Sequence, residues 1–373
     1  MSGSPPIVLA YVACWAELDA AQVLGNQLTH VNYAFACIQE GRVVSFMVAN
    51  HARLAEADPA LAALGYDAAC AKEELGLGLA RRLKAAYPHL VVLISIGGWA
   101  AEGFSDAALT PESRERFADS ALEFMQRHGF DGLDLDWEYP GNAIGGIRAR
   151  PEDRQNFTLL LQLLREKLDA ASRAEARPSP YVLSIATGVI PAHLEGVELA
   201  RIAPLLDFIG LMTYDLYNGW STRSGHHANL FRSSSDPQGD SADDAVRLFL
   251  AAGVPASKLL LGAAFYGRGM NGVGPANDGL MQASEPGSNF TRTYDEIRST
   301  LAAPSAWVRH WDEAAQAPYL YDGHSFLSYE DPESIRRKGR YVLEQVLGGA
   351  MFWEYSNDRA GELLSILFRA LRP

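Results

Sequence analysis

Eight short apolar runs, amphipathic stretches in most of the gaps between them, and nearly unbroken hydrophobicity within each run predict a closed (β/α)8 barrel. Strands buried on both faces read as continuous apolar runs, whereas half-exposed strands alternate. The chain has 373 residues and is 48% hydrophobic, enough for one large core or a core with a smaller satellite. An open dinucleotide-binding sheet is the competing fold, but no GxGxxG follows the first run.

The runs are IVLAYVACW (7–15), HVNYAFACI (30–38), VVLISIGGW (91–99), FDGLDLDWEY (130–139), YVLSIATG (181–188), FIGLMTYDLY (208–217), KLLLGAAFYG (258–267) and GGAMFWEYS (348–356). Between them, LGLARRLKAAY (77–87), PESRERFADSALEFMQRH (111–128) and PEDRQNFTLLLQLLREKLDAA (151–171) carry apolar residues at helical spacing. Thr110 and Arg150 precede Pro111 and Pro151, so each proline is expected in a first helical turn. Two intervals break the rhythm. Gln39 to Gly76 is too long for a simple crossover and is expected to hold an extra loop with a short helix. Residues 269–329 mix Gly, Pro and aromatics and read as a small α+β insertion between the seventh and eighth strands, with 1–268 and 330–373 forming the barrel. An insertion there lies at the carboxyl end of the strands, the active face of such barrels.

A net charge of -13 argues against nucleic acid or an anionic membrane surface as a partner. No apolar run approaches the ~20 residues of a membrane-spanning helix, and MSGSPP lacks the features of a secretion signal. The expected location is outside the cell, with any signal absent from this chain, or the cytoplasm if the chain is full length. Cys14, Cys37 and Cys70 make no disulfide framework or zinc spacing. Buried thiols are the favoured reading, a Cys14–Cys37 bridge the alternative.

FDGLDLDWEYP (130–140) puts four acids where a buried strand is expected. On a strand Asp134, Asp136 and Glu138 share one face, and Leu133, Leu135 and Trp137 take the other. Alternate residues lie about 6.6 Å apart, so poorly solvated carboxyls at that spacing cannot all ionise and at least one pKa must rise. Glu138, last on the strand, is placed as a general acid. Asp131 is out of phase and reads as structural. A Mg2+ or Ca2+ site is the rival reading of such an oxygen cluster, although EF-hand spacing is absent. The other strand ends bear aromatic and polar residues: Tyr11 to Trp15, Tyr33 and Phe35, Trp99, Met212, Tyr214 and Asp215, Tyr266 and Arg268, and Trp353. Aromatic faces beside hydrogen-bonding acids suit a sugar ring.

DGLDLDWE (131–138) resembles the DxxDxDxE signature of family 18 glycoside hydrolases, the chitinases and their relatives. YAFA (33–36), SIGGW (95–99), MTYD (212–215), FYGR (265–268) and the tryptophan of MFWEYSND (351–358) follow in that family's order. The resemblance implies a (β/α)8 barrel of the bacterial type with an α+β insertion, and retaining hydrolysis of β-1,4-N-acetylglucosamine linkages in which the substrate's own acetamide is the nucleophile. It implies Glu138 as acid and base, Asp136 as the group that orients the acetamide, and Asp134 sharing a proton with it beside Tyr11 and Ser95. Tyr214 and Asp215 would bind the acetamide and groups near the scissile bond. Trp353 would form the floor under the distorted sugar, and Trp99 and Trp220 would be stacking platforms. Phe35, Tyr139, Met212, Tyr266 and Arg268 complete the implied substrate-binding set. The expected partners are chitin and N-acetylglucosamine oligomers, with no cofactor, metal, nucleic acid or membrane, and the chain is expected to be monomeric. A sugar-binding lectin on the same barrel would have lost the acid, and Glu138 is present. An endo-β-N-acetylglucosaminidase acting on N-glycans is the alternative among enzymes.

Overall fold

The computed structural model describes residues 5–16, 18–46, 49–50, 76–303 and 306–372. Its strands are β1 (Ile7–Ala13), β2 (His30–Gln39), β3 (Arg42–Ser45), β4 (Val91–Gly97), β5 (Gly132–Asp136), β6 (Val182–Thr187), β7 (Phe208–Leu211) and β8 (Leu259–Ala264). They continue with β9 (Tyr266–Met270), β10 (Phe290–Thr293), β11 (Val308–Asp312), β12 (Ala317–Tyr321), β13 (Phe326–Ser328) and β14 (Gly349–Trp353). The first sheet runs β1-β14-β8-β7-β6-β5-β4-β2-β3, and β1 also pairs with β2. Leaving aside β3, an antiparallel appendage of β2, eight parallel strands close into the expected (β/α)8 barrel.

Two compact units divide the chain, one of Tyr11–Ile209 and the other of the residues up to Ala10 with those from Gly210 onward. In the first unit, register aligns Ser95 of β4 with Asp134 of β5, and Asp134 with Ser184 of β6. Leu133 and Leu135 are fully buried on the opposite face of β5. The helix Pro111–His128 starts as the sequence signals: Thr110 and Ser113 form a capping box, Pro111 takes the first turn, and Gly129 ends the helix in the left-handed conformation. The next helix is Asp153–Ala174, so Pro151 lies before it rather than inside its first turn. The Asp153 carboxylate accepts the backbone N–H groups of Arg150 (2.7 Å) and Gly141 (3.3 Å) and the Ser105 hydroxyl (2.7 Å), which ties up the approach to the helix. Phe157, Leu160, Leu161, Leu164 and Leu168 form its buried stripe, each such side chain contributing roughly 1.5–3 kcal/mol.

The expected helix at 77–87 is Leu79–Ala86. In the Gln39 to Gly76 interval β3 is a strand that sequence reading did not anticipate, and residues 51–75, where the extra loop and helix were expected, lie outside the described residues. Cys14 and Cys37 are not bridged and are half-buried rather than buried, and Cys70 lies outside the described residues.

In the second unit, β14 pairs in parallel with β8 and with Ile7–Ala10 of β1. The seventh apolar run does not stay in the barrel. It breaks at Phe265, whose N–H donates to the Trp353 carbonyl and whose carbonyl accepts from Tyr294. Tyr266 and Arg268 therefore stand on β9, not at the end of the seventh barrel strand. β9 belongs to an antiparallel sheet ordered β10-β9-β13-β12-β11. Met270, Tyr319, Tyr321 and Phe326 pack in one cluster, while Leu320, Leu327 and Ile297 of the helix Tyr294–Ala302 pack in another. Alternation along β12 and β13 thus gives that sheet two apolar faces.

Asp131 is the structural acid its phase predicts. It accepts hydrogen bonds from Lys84 (2.6 Å), Arg177 (3.0 Å) and the backbone N–H of Val92 (3.1 Å), joining a helix, a loop and β4 at the start of β5. Asp131→Asn is expected to lower unfolding free energy by about 1–3 kcal/mol, because two cations and an amide lose a charged acceptor. Denaturant unfolding measures this, and an unchanged midpoint would contradict the role.

Candidate active site

The first unit carries three acids in file. Asp134 has no solvent exposure and accepts from Tyr11 (2.9 Å), Ser95 (2.8 Å) and Ser184 (2.6 Å). The serines reach it because the strand register puts all three residues in one row. Burial raises the Asp134 pKa, and the three hydroxyls only partly oppose it. Asp136 is also buried, and its Oδ1 meets no hydrogen-bond partner among the described residues. Burial first, then the negative charges of Glu138 and Asp134, push its carboxyl well above the ordinary range.

SIGGW explains itself here. A Cβ on Gly97 would stand 2.2 Å from the Asp136 carbonyl oxygen, and its φ of +116° is left-handed territory. The next residue, Gly98, donates its N–H to that same carbonyl at 2.9 Å. The two glycines thus let β4 close against the end of the acid strand.

β5 ends at Asp136, so Glu138 is not the last strand residue but lies two positions beyond it. It stays aligned because Trp137, between the two acids, is locked on the other face. Its ring stacks on Phe104 at 5.2 Å and meets Phe157 edge-on at 5.4 Å. Glu138 is half-buried and accepts a hydrogen bond from the Tyr139 hydroxyl at 3.1 Å.

The second unit holds another constellation. Asp215, with a left-handed φ of 58°, accepts from Arg268 through Nε (2.8 Å) and Nη2 (2.5 Å) and from the Tyr266 hydroxyl (2.7 Å), with His227 Nδ1 at 3.6 Å. Burial works to raise this carboxyl, but the bonds and charges of Arg268 and His227 outweigh it and hold Asp215 well below the usual range. Tyr214 meets Tyr266 edge-on at 6.2 Å, its hydroxyl faces the Met351 sulfur at 3.8 Å, and Tyr214 and Trp353 both pack on Ala228, Ala264 and Tyr266. Met212 is half-buried just past β7.

The aromatic set divides by exposure. Trp99 is 46% and Trp220 68% exposed, whereas Phe35 is buried beside Trp15 at 6.4 Å. Sequence reading missed Ser184, His227 and Asn32. The first two gave no motif signal. Asn32 is a fully buried amide near the start of β2, and a polar residue inside an apolar run was the available clue. Among the described residues no group of three or more His, Cys, Asp or Glu is placed to hold a metal ion.

Comparison with known proteins gives concordant results. The sequence profile described as Glycosyl hydrolases family 18 matches residues 7–358. Chitinase A1 of Niallia circulans is 41% identical over 298 residues, which cover 74% of this chain and 42% of that protein. Endochitinase 1 of Metarhizium robertsii is 36% identical over 288 residues, 75% of this chain and 64% of that one. The chain thus spans less than two thirds of either relative. A family 18 N-acetylglucosaminidase from Paenibacillus barengoltzii superposes with a TM-score of 0.86 at 40% identity, covering 98% of this chain and 99% of that one. With the DxxDxDxE acids on and directly flanking β5, the fourth barrel strand, and the profile matched over nearly its whole length, the chain belongs to family 18 of the glycosyl hydrolases.

Proposed function

We propose that the chain is a chitinase that hydrolyses β-1,4-N-acetylglucosamine linkages with retention, using the substrate's acetamide as nucleophile. The observation that carries this reading is Asp136, a buried carboxyl with a raised pKa between two other acids and one oxygen unbonded among the described residues. Such a group is unsuited to attack carbon and suited to meet an acetamide N–H whose positive charge grows as the oxazolinium ring closes. Asp134, held by three hydroxyls, takes a share of the Asp136 proton. Glu138 protonates the glycosidic oxygen and then removes a proton from the water that opens the ring, so the proton account closes over one turnover. Tyr214 donates to the acetamide carbonyl. Asp215, held ionised by Arg268, accepts from sugar hydroxyl or amide groups, and Trp353, Trp99 and Trp220 stack on pyranose faces.

The similarity to chitinases supports the substrate class, and the antiparallel sheet of 266–328 supports reading 269–329 as the insertion. A second reading, release of single N-acetylglucosamine units, is favoured by the N-acetylglucosaminidase of matching length. Time-resolved digestion of chitohexaose separates them: internal cleavage yields dimers to tetramers first, while terminal release yields monomer and pentamer. The fully deacetylated hexamer is expected to be cleaved far more slowly than chitohexaose. Equal rates on the two would defeat the substrate-assisted mechanism.

Glu138→Gln is expected to lower turnover by at least ~10²-fold while oligosaccharide binding persists, since the amide keeps the shape and cannot deliver a proton. Calorimetric binding together with product analysis checks both halves, and near-parental turnover would remove Glu138 from the role.

The raised Asp136 pKa also has a stability consequence. Below the ordinary carboxylate range the folded and unfolded chains are both protonated there. As pH rises above about 4 the unfolded chain ionises first, so stability is lost progressively until the folded carboxyl ionises too. Asp136→Asn is therefore expected to be slower but to melt higher than the parent, by a margin that widens with pH above about 4. A pH-independent difference in melting temperature would mean that Asp136 titrates normally.

A further inference from the structure

Residues 188–196, which follow β6, pack against the turn that begins at Glu138. Asn142 Nδ2 donates to the Ala192 carbonyl at 3.4 Å, and Arg154 donates to the Glu195 carbonyl at 2.9 Å. At the centre, the His193 imidazole lies on the Tyr139 ring with centroids 4.0 Å apart and planes 13° from parallel. The same Tyr139 gives its hydroxyl proton to Glu138 Oε2 at 3.1 Å.

We propose that His193 is a positioning residue for hydrolysis: its ring fixes the Tyr139 phenol in the orientation from which it donates to Glu138. The proposal rests on the reading of Glu138 as the acid and base. His193 is itself held by shape. A Cβ at Gly188 would come within 2.3 Å of its Nδ1, so glycine there is what lets the imidazole sit flat against the backbone. That Nδ1 is buried and makes no hydrogen bond among the described residues, so ring contact, not hydrogen bonding at that nitrogen, holds the face toward Tyr139. Burial brings the imidazole down to about 4, which leaves the ring neutral above that pH and makes the stack one of two uncharged rings. A carboxyl group that must give a proton as the acid and then take one as the carboxylate needs one oxygen aimed at the reacting bond. A donor fixed on the other oxygen does the aiming.

The chemistry requires a flat ring at 193 and not a titratable one. His193→Ala is expected to lower kcat on chitohexaose about tenfold, the scale of one hydrogen bond to a charged group, with KM unchanged. Tyr139→Phe should lose about as much, and His193→Ala combined with Tyr139→Phe should lose no more than either alone, because both remove the same restraint. His193→Phe should restore parental kcat. Oligosaccharide affinity measured in the Glu138→Gln background should not change when His193→Ala is added. Parental kcat in His193→Ala, a His193→Phe variant as slow as His193→Ala, or losses that multiply in the double variant would each overturn the proposal. If His193→Ala fails to fold, a slow Tyr139→Phe beside a parental His193→Phe sustains it, and any other pair of results overturns it. Failure of the underlying reading looks different: Glu138→Gln would then turn over substrate, whereas an inactive Glu138→Gln beside a parental His193→Ala sinks the role of His193 alone.

Discussion

A carboxyl group enclosed by protein between two other carboxyl groups cannot ionise at ordinary cost, and Asp136 is enclosed in this way. Much of the first unit serves that constraint. The register of β4, β5 and β6 brings two serines to Asp134, so the neighbouring acid has hydroxyl donors while Asp136 Oδ1 has none among the described residues. The Gly97–Gly98 pair brings the backbone of β4 against the Asp136 carbonyl, which anchors the main chain there.

Asp215 follows the opposite logic. Its two oxygens engage the guanidinium of Arg268 and the Tyr266 hydroxyl, and Arg268 with His227 holds its carboxyl well below the usual range. A carboxylate so bound is a fixed acceptor with a defined direction, unsuited to proton shuttling. One unit holds carboxyls, Asp134 and Asp136, whose pKa burial raises, and the other a carboxylate whose pKa its partners lower.

The barrel was legible because its strands are apolar on both faces, and a run such as VVLISIG needs no partner to reveal itself. The acids were legible because charge at period two inside such a run has few explanations. What sequence reading could not resolve were places where local pattern is silent. β3 is only four residues long. The run from Lys258 to Gly267 is continuous in composition, so its change of sheet at Phe265 shows only through hydrogen bonds made to distant residues. Ser184 and His227 are ordinary in their segments and gain importance from cross-strand register and from contact with Asp215. Glu138 was assigned to the strand because alternation continues through it, although strand pairing stops at Asp136.

Trp137 separates the two acids and points away from them, wedged between Phe104 and Phe157 of the outer helices. The placement of Glu138 is therefore set partly by residues of the outer layer. In evolutionary terms, the helical layer around this strand is not a neutral support in which one bulky side chain can replace another. On the proposed reading of Glu138, a change of volume at Phe104 or Phe157 would tilt the acid through Trp137, so drift in the outer layer would be filtered by selection on catalysis as well as on folding.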